Sequence, residues 1–240
     1  MTVLVIVVAA FATAAISGVL GMAGGLLLLG VLLLVLPVAV AFVVHGLLQL
    51  VSNGWRAILQ REHIGWATVR WYAVGALLAV VLASAVAYVP SRPLTYLLLG
   101  LVPALVWVPR ERLALDAARP AQAALAGLLV TIVNLLAGVG GPLLDIFFVR
   151  TAMSRHRIVA TKAATQVLSH AGKIVVYVPL VANGTVPYAV VLLAVPLSLL
   201  GTALGGRLLD RMTDASFTAT TRWVVTGIGA VYLVQAALAV

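Results

Sequence analysis

Inside otherwise apolar stretches, two short runs of polar residues share one spacing. Gln49, Ser52, Asn53 and Arg56 sit at i, i+3, i+4 and i+7, and Gln166, Ser169, His170 and Lys173 repeat the pattern. On an α-helix that spacing gathers four side chains on one face. Thr165 and Lys162 extend the second face backwards. Amides, hydroxyls and an imidazole can donate hydrogen bonds to an oxyanion, and Arg56 and Lys173 add attraction. These residue types suit anion binding rather than bond making. The competing explanation is interhelical hydrogen bonding, with Arg56, Lys162 and Lys173 reaching for an interface.

Two glycine clusters precede these runs: Gly21, Gly24 and Gly25, then Gly138, Gly140 and Gly141. Glycine lets a backbone turn sharply and approach a ligand closely. A short helix beginning there offers unpaired N–H groups and a positive dipole end, which suit an anion. Asn134, just before the second cluster, can hydrogen-bond either backbone or ligand. Asp145, three positions after Pro142, is the only acid inside an apolar segment. Asp145 and His170 are therefore the candidates for carrying a coupling proton. Their competing roles are a helix-start acceptor and a hydrogen-bond donor. Gly201 and Gly205 form a GxxxG spacing that helix packing explains. His63 and His156 fall in loops and need no special role.

The elements that must position these residues are membrane helices. The 240 residues are 64% apolar and 9% charged, with a mean hydropathy of +1.20. Soluble domains carry about a quarter charged residues. Apolar segments at about 3–20, 38–60, 66–88, 93–108, 121–136, 158–180, 187–208 and 217–240 approach the roughly 20 residues a spanning helix needs. Segments 26–36 and 143–150 are too short to cross, and each follows a glycine cluster, as a re-entrant arm would. The apolar N-terminus has no basic flank. Its AFATAA stretch resembles a cleavage site, yet the glycines behind it belong to a recurring motif, so it reads as a helix.

The chain repeats itself. Gly24-Gly25 matches Gly140-Gly141 at an offset of 116, and His45–Arg56 matches Lys162–Lys173 at an offset of 117. If each glycine break turns the chain back, eleven arginines (Arg61, Arg70, Arg110, Arg112, Arg119, Arg150, Arg155, Arg157, Arg207, Arg211 and Arg222) fall on one side and only Arg92 on the other. Continuous crossings would split the arginines seven to five. The positive-inside rule therefore selects the hairpins. The expected fold is an all-α polytopic membrane protein of two inverted repeats. Each repeat is a glycine-broken helical hairpin plus three transmembrane helices, giving about eight full spans and two short re-entrant arms. The first repeat covers 1–109, a cytoplasmic connecting loop 110–120 and the second repeat 121–240, with both termini extracytoplasmic.

Other classes lack their residues. There is no cysteine, hence no disulfide or thiolate metal site. No hydrolase elbow, paired-histidine zinc motif or phosphate loop occurs, so neither an enzyme, a cofactor nor a metal is expected. The net charge of +9 resides mostly in membrane loops and does not indicate nucleic acid.

The twin glycine motifs at 21–25 and 138–142, each followed by a short apolar arm and a helix with a polar stripe, resemble the TauE/SafE sulfite exporter family. The loop Arg61–Trp66 and the stretch Gly201–Arg207 resemble that family's pattern too. Two departures stand out: no proline follows the first glycine run closely, and Pro142 stands where another glycine is usual. The resemblance implies a secondary transporter of the bacterial inner membrane for small sulfur-containing anions such as sulfite and organosulfonates. Alternating access in the bilayer is the expected mechanism, with proton coupling through Asp145 or His170 and homo-oligomerisation both left open. The alternatives are a passive anion channel and, further off, an integral-membrane sensor or enzyme subunit. Reporter fusions at Arg112, Arg155 and Thr213 are expected to read cytoplasmic and one at Asn183 extracytoplasmic. Opposite readings at Arg112 and Arg155 would contradict the hairpin topology.

Overall fold

A computed structural model describes residues 2–20, 23–109, 115–148, 150–181, 186–209 and 214–239. Among the described residues every regular element is helical. In chain order the α-helices are α1 (Thr2–Leu20), α2 (Ala23–Val35), α3 (Val38–Leu59), α4 (Trp66–Val86), α5 (Arg92–Leu101), α6 (Pro120–Ala137), α7 (Gly141–Phe147), α8 (Arg155–Tyr177), α9 (Tyr188–Leu209) and α10 (Asp214–Leu238).

Local sequence explains the boundaries. Ser91 caps α5 by accepting from Leu94 N, and Ser154 caps α8 by accepting from Arg157 N, both at 3.4 Å. Pro103 cannot donate to the carbonyl four residues back, and α5 tightens into a 3-10 helix over Val102–Trp107. Pro179 likewise ends α8 in a 3-10 turn at Val178–Leu180.

Among the described residues five helices are long and apolar enough to cross a membrane: α3, α4, α6, 188–205 of α9 and 220–238 of α10. The other three expected spans are less simple. α1 and α5 appear as shorter apolar helices, and α8 has 23 residues but carries the Lys162–Lys173 stripe. Leu77, Leu78, Val81 and Leu82 on α4 and Leu192 and Leu193 on α9 are exposed, an outer surface suited to lipid. α2 is apolar all round and is wrapped by the bundle, with Leu26, Leu29, Leu32 and Leu33 fully buried.

The short arms begin earlier than the apolar runs suggest. Gly24 and Gly25 lie within the first turn of α2 rather than ahead of it, and α7 starts at Gly141. Their glycines are needed for packing. A Cβ on Gly24 would overlap the Thr13 carbonyl and crowd Ser17 of α1. A continuous helix would hold residues 13 and 24 about 16 Å apart. The chain therefore doubles back at the break. A Cβ on Gly140 would meet Val130 O at 2.6 Å and Asn134 Cβ at 3.5 Å. Thr13 and Val130, and Ser17 and Asn134, are again 117 positions apart. Both hairpins close in the same way.

The packing between halves is also reciprocal. α1 lies along α9, and α4 along α6; α3 packs on α8, and α5 on α10. Exchanging the halves leaves these pairings unchanged. Gly46 faces Ile174 while Gly54 faces Val167, so α3 and α8 run antiparallel. Tyr96 stacks on Tyr232 while Trp107 donates to Thr226 Oγ1 at 2.8 Å, so α5 and α10 are antiparallel too.

One end of the bundle gathers the loops around 61–66, 115–119 and 147–157. Gly65 N donates to Thr161 Oγ1 (2.8 Å), Thr68 Oγ1 to Ala117 O (3.0 Å) and Ala117 N to Phe147 O (2.7 Å). The His63 and His156 rings lie 5.4 Å apart there. At the opposite end Arg92 Nη2 donates to Leu36 O at 3.0 Å, joining the Pro37 turn to the start of α5.

Replacing Gly24 or Gly140 by leucine is expected to cost about 1–3 kcal/mol of stability by overpacking. Gly227→Ala, where a Cβ would meet nothing within 4 Å, is the control. Thermal unfolding in detergent checks both; unchanged melting of Gly24→Leu would contradict the hairpin packing.

Candidate functional site

The two glycine breaks are joined through one histidine and one lysine. Lys173, on α8, is completely buried, and His45, on α3, is 1% exposed. His45 Nε2 lies 3.0 Å from Gly25 O, and His45 Nδ1 lies 2.8 Å from Lys173 Nζ. Lys173 Nζ also donates to Gly138 O at 2.8 Å. A carbonyl only accepts, which places the imidazole hydrogen on Nε2 and makes Nδ1 an acceptor from the lysine. The polar chain runs Gly25 O, His45, Lys173, Gly138 O. It crosses from one half to the other.

The second break has a backbone reason to sit there. Gly138 has φ +77°, the left-handed conformation that ends α6. Carbonyls of the last helical turn lose their intrahelical partners. Tyr177 OH donates to Leu135 O at 2.6 Å, and Lys173 supplies Gly138 O, so α8 satisfies the end of α6. A Cβ on Gly138 would overlap Leu29 of α2 and meet Phe42 of α3. Lys173 Nζ lies 5.5 Å from the Phe42 ring centroid. Among the described residues no carboxylate pairs with Lys173; the described ion pair joins Lys162 to Asp145.

The polar stripes divide between neighbours. Ser169 Oγ meets Tyr72 OH at 2.6 Å and Thr131 Oγ1 at 3.0 Å, facing α4 and α6. The His170 ring turns to α3, 5.6 Å from the His45 ring. Adjacent positions on a helix diverge by about 100°, which separates the two. In the other half, Ser52 Oγ lies 3.4 Å from Thr202 Oγ1 of α9. Ser52 and Ser169 thus tie equivalent helix pairs. Asn53 Nδ2 donates to Gln49 O (2.9 Å) and Gln49 Oε1 (3.3 Å). Thr165 Oγ1 donates to Lys162 O within its own helix. Gln49, Arg56, Lys162 and Gln166 are half-buried.

Asn134 Nδ2 donates to Ser169 O at 3.1 Å, so the backbone takes one end of its amide. Asn134 Oδ1 and His170 Nδ1 are buried without a protein partner among the described residues. Gly25 faces Gln49, whose Nε2 would stand 3.2 Å from an added Cβ. Gly201 packs on the Phe11 carbonyl of α1, as its GxxxG spacing suggested.

Of the residues expected to act together, Gly25, Gln49, Gly138, His170 and Lys173 surround His45, and Asn134 joins them through Ser169. Gly24, Gly140 and Gly141 shape the hairpins. Gly21 lies outside the described residues. Asp145 pairs with Lys162 rather than Lys173, and that pair gives Lys162 a partner in place of an interface. Sequence reasoning missed His45, Tyr72 and Thr131. His45 was readable: it stands one turn before Gln49 on the same face and is the repeat partner of Lys162.

A bundle helical throughout its described residues, apolar, and with chain breaks meeting around a buried lysine is the build of a membrane transport protein. The chain belongs to the TauE/SafE sulfite exporter family, whose model matches residues 6–232. Neither a curated protein nor a solved structure gives a match. The family is one of membrane transporters for sulfite and related sulfur anions.

Tyr72→Phe is expected to lower stability by about 1 kcal/mol, the worth of one buried hydrogen bond, and Ser169→Ala by about 2 kcal/mol, since it also loses Thr131. The double variant should cost less than both together, since each single change removes the same bond. Strict additivity in detergent melts would contradict the Tyr72–Ser169 contact.

Proposed function

We propose that this protein is a secondary transporter that moves a small anion, sulfite or an organosulfonate, across the bacterial inner membrane by alternating access. One observation carries the reading: Lys173 is completely buried and meets only neutral acceptors. A charge in a membrane core is costly unless something opposes it. An anion beside Lys173 would supply the opposing charge. Gln49, Asn134 and His170 are the neighbouring groups that would orient its oxygens, with the backbone around Gly25 and Gly138 approaching closely, and Asn53 and Gln166, further along α3 and α8, would line the approach. Ser52 and Ser169 would hold the helices at that spacing. Arg56, half-buried near the arginine-rich end, would raise the potential on the approach.

The reading includes two inverted repeats with a re-entrant hairpin each. Antiparallel packing of the equivalent helices α3 and α8, and of α5 and α10, supports it, because an axis across the helices relates such partners. Arg61, Arg119, Arg150 and, in the first turn of α8, Arg155 and Arg157 at one end of the bundle support a cytoplasmic assignment for that end. Alternating access would arise as one hairpin moves against the other and remakes the Gly25–His45–Lys173–Gly138 contacts.

Counterflow of radiolabelled sulfite into proteoliposomes tests this. Lys173→Met is expected to lower the rate at least about tenfold, a loss of roughly 1.4 kcal/mol or more of anion interaction. Arg70→Gln, at an exposed position of α4, should stay within about twofold, as surface changes usually do. Wild-type counterflow by Lys173→Met, or ohmic single-channel current, would contradict the proposal.

A further inference from the structure

Counting hydrogens along the polar chain between the two breaks gives a further result, which rests on the anion-transport reading. The chain ends on two carbonyls, Gly25 O and Gly138 O, and each accepts. His45 Nε2–H serves the first. Lys173 must serve the second and His45 Nδ1 as well. A neutral amine has two hydrogens, and these satisfy both contacts. A proton added to the pair brings one further N–H, for which no protein acceptor is described, and one positive charge, which meets the Phe42 ring but no carboxylate among the described residues. A single anionic oxygen would answer both needs at once.

We infer that one proton and one monoanion bind this site together, the proton on the Lys173–His45 pair, so that the two cross the membrane in the same direction as a neutral load. In balance, the neutral pair plus a proton plus the anion gives the protonated pair hydrogen-bonded to the anion. No covalent bond changes. Empty and loaded sites then carry the same net charge through the bilayer core, which avoids the cost of moving an unopposed charge. Binding is reciprocal: whatever the proton contributes to anion affinity, the anion contributes to proton affinity.

The surroundings leave this pair as the centre of the effect. α2 and α6 bring no titratable residue to it. α8 brings His170, 5.6 Å from the His45 ring, and Tyr177, whose hydroxyl is spent on Leu135 O. α4 brings Tyr72, held by Ser169, and Arg70 near its start; α9 brings only Tyr188 and Arg207 near its ends. On α3 itself Arg56 stands three turns further along. Asp145, the other proton candidate, is engaged by Lys162.

The test uses purified protein in proteoliposomes containing a trapped pH dye, with potassium and valinomycin fixing the membrane potential. The probes are radiolabelled methanesulfonate, a monoanion at every working pH, and sulfite; protein-free vesicles give the baseline. At zero potential a pH gradient should accumulate methanesulfonate about tenfold per pH unit, the value for one proton per anion. The dye should report one proton per anion, and a potassium diffusion potential at equal pH should drive no accumulation. Lys173→Arg keeps the N–H donors but is permanently charged. Its remaining exchange should lose the dye signal and become sensitive to potential. A merely structural lysine would leave the proton count unchanged.

Accumulation by wild type in response to potential and not to pH overturns the inference while leaving the transport reading intact. So does one proton per anion in Lys173→Arg. Should that variant fail to fold, the wild-type measurement decides alone. Absence of counterflow with both probes overturns the transport reading and this inference with it. If only sulfite is carried, the same potential-independence is required of it.

Discussion

A lysine amine in the core of a membrane bundle needs a partner, and the partners available to Lys173 are a histidine and a carbonyl. The rest of the architecture serves that arrangement. α6 must end in the left-handed conformation at Gly138 so that a free carbonyl points at the amine. α2 must begin beside His45 so that Gly25 O can take the other end of the imidazole. Both conditions require the chain to stop and double back inside the bundle. Only where a Cβ is absent can the returning arm lie against the helix before it.

The helix packing is reciprocal between the first five helices and the last five, and matching positions carry different side chains. The His45–Lys173 contact joins positions whose repeat partners are Lys162 and Arg56. One crossing is buried and holds the breaks together. At the other, Lys162 turns away to Asp145, and Arg56 stays half-buried.

Much of this was legible in the residues. Apolar lengths gave the long apolar helices, and the matched offsets of 116 and 117 pointed to positions that pack in equivalent ways. The short runs after each glycine cluster indicated the arms. Helix spacing also placed the polar residues together on one face of α3 and one face of α8, since i and i+4 patterns survive any packing. Which neighbour each side chain would meet was not legible. Ser169 and His170 are adjacent in sequence, yet they serve α4 and α3 respectively, because direction around a helix matters only once its neighbours are known. Tyr72 and Thr131 lie in runs that read as plain apolar helix, and only the packing of α4 on α6 and α8 reveals them. The start of α2 was placed late because glycines look like a break, whereas Gly24 and Gly25 are helical and bare for contact with α1 and Gln49.

The central claim is that Lys173 lies opposite the transported anion. Selenite is an oxyanion of the same shape as sulfite and carries an anomalous scatterer. Crystals grown with it should show an anomalous peak within hydrogen-bond distance of Lys173 Nζ, between the breaks at Gly25 and Gly138. A peak confined to Arg56 or Lys162, with none at Lys173, would contradict the account.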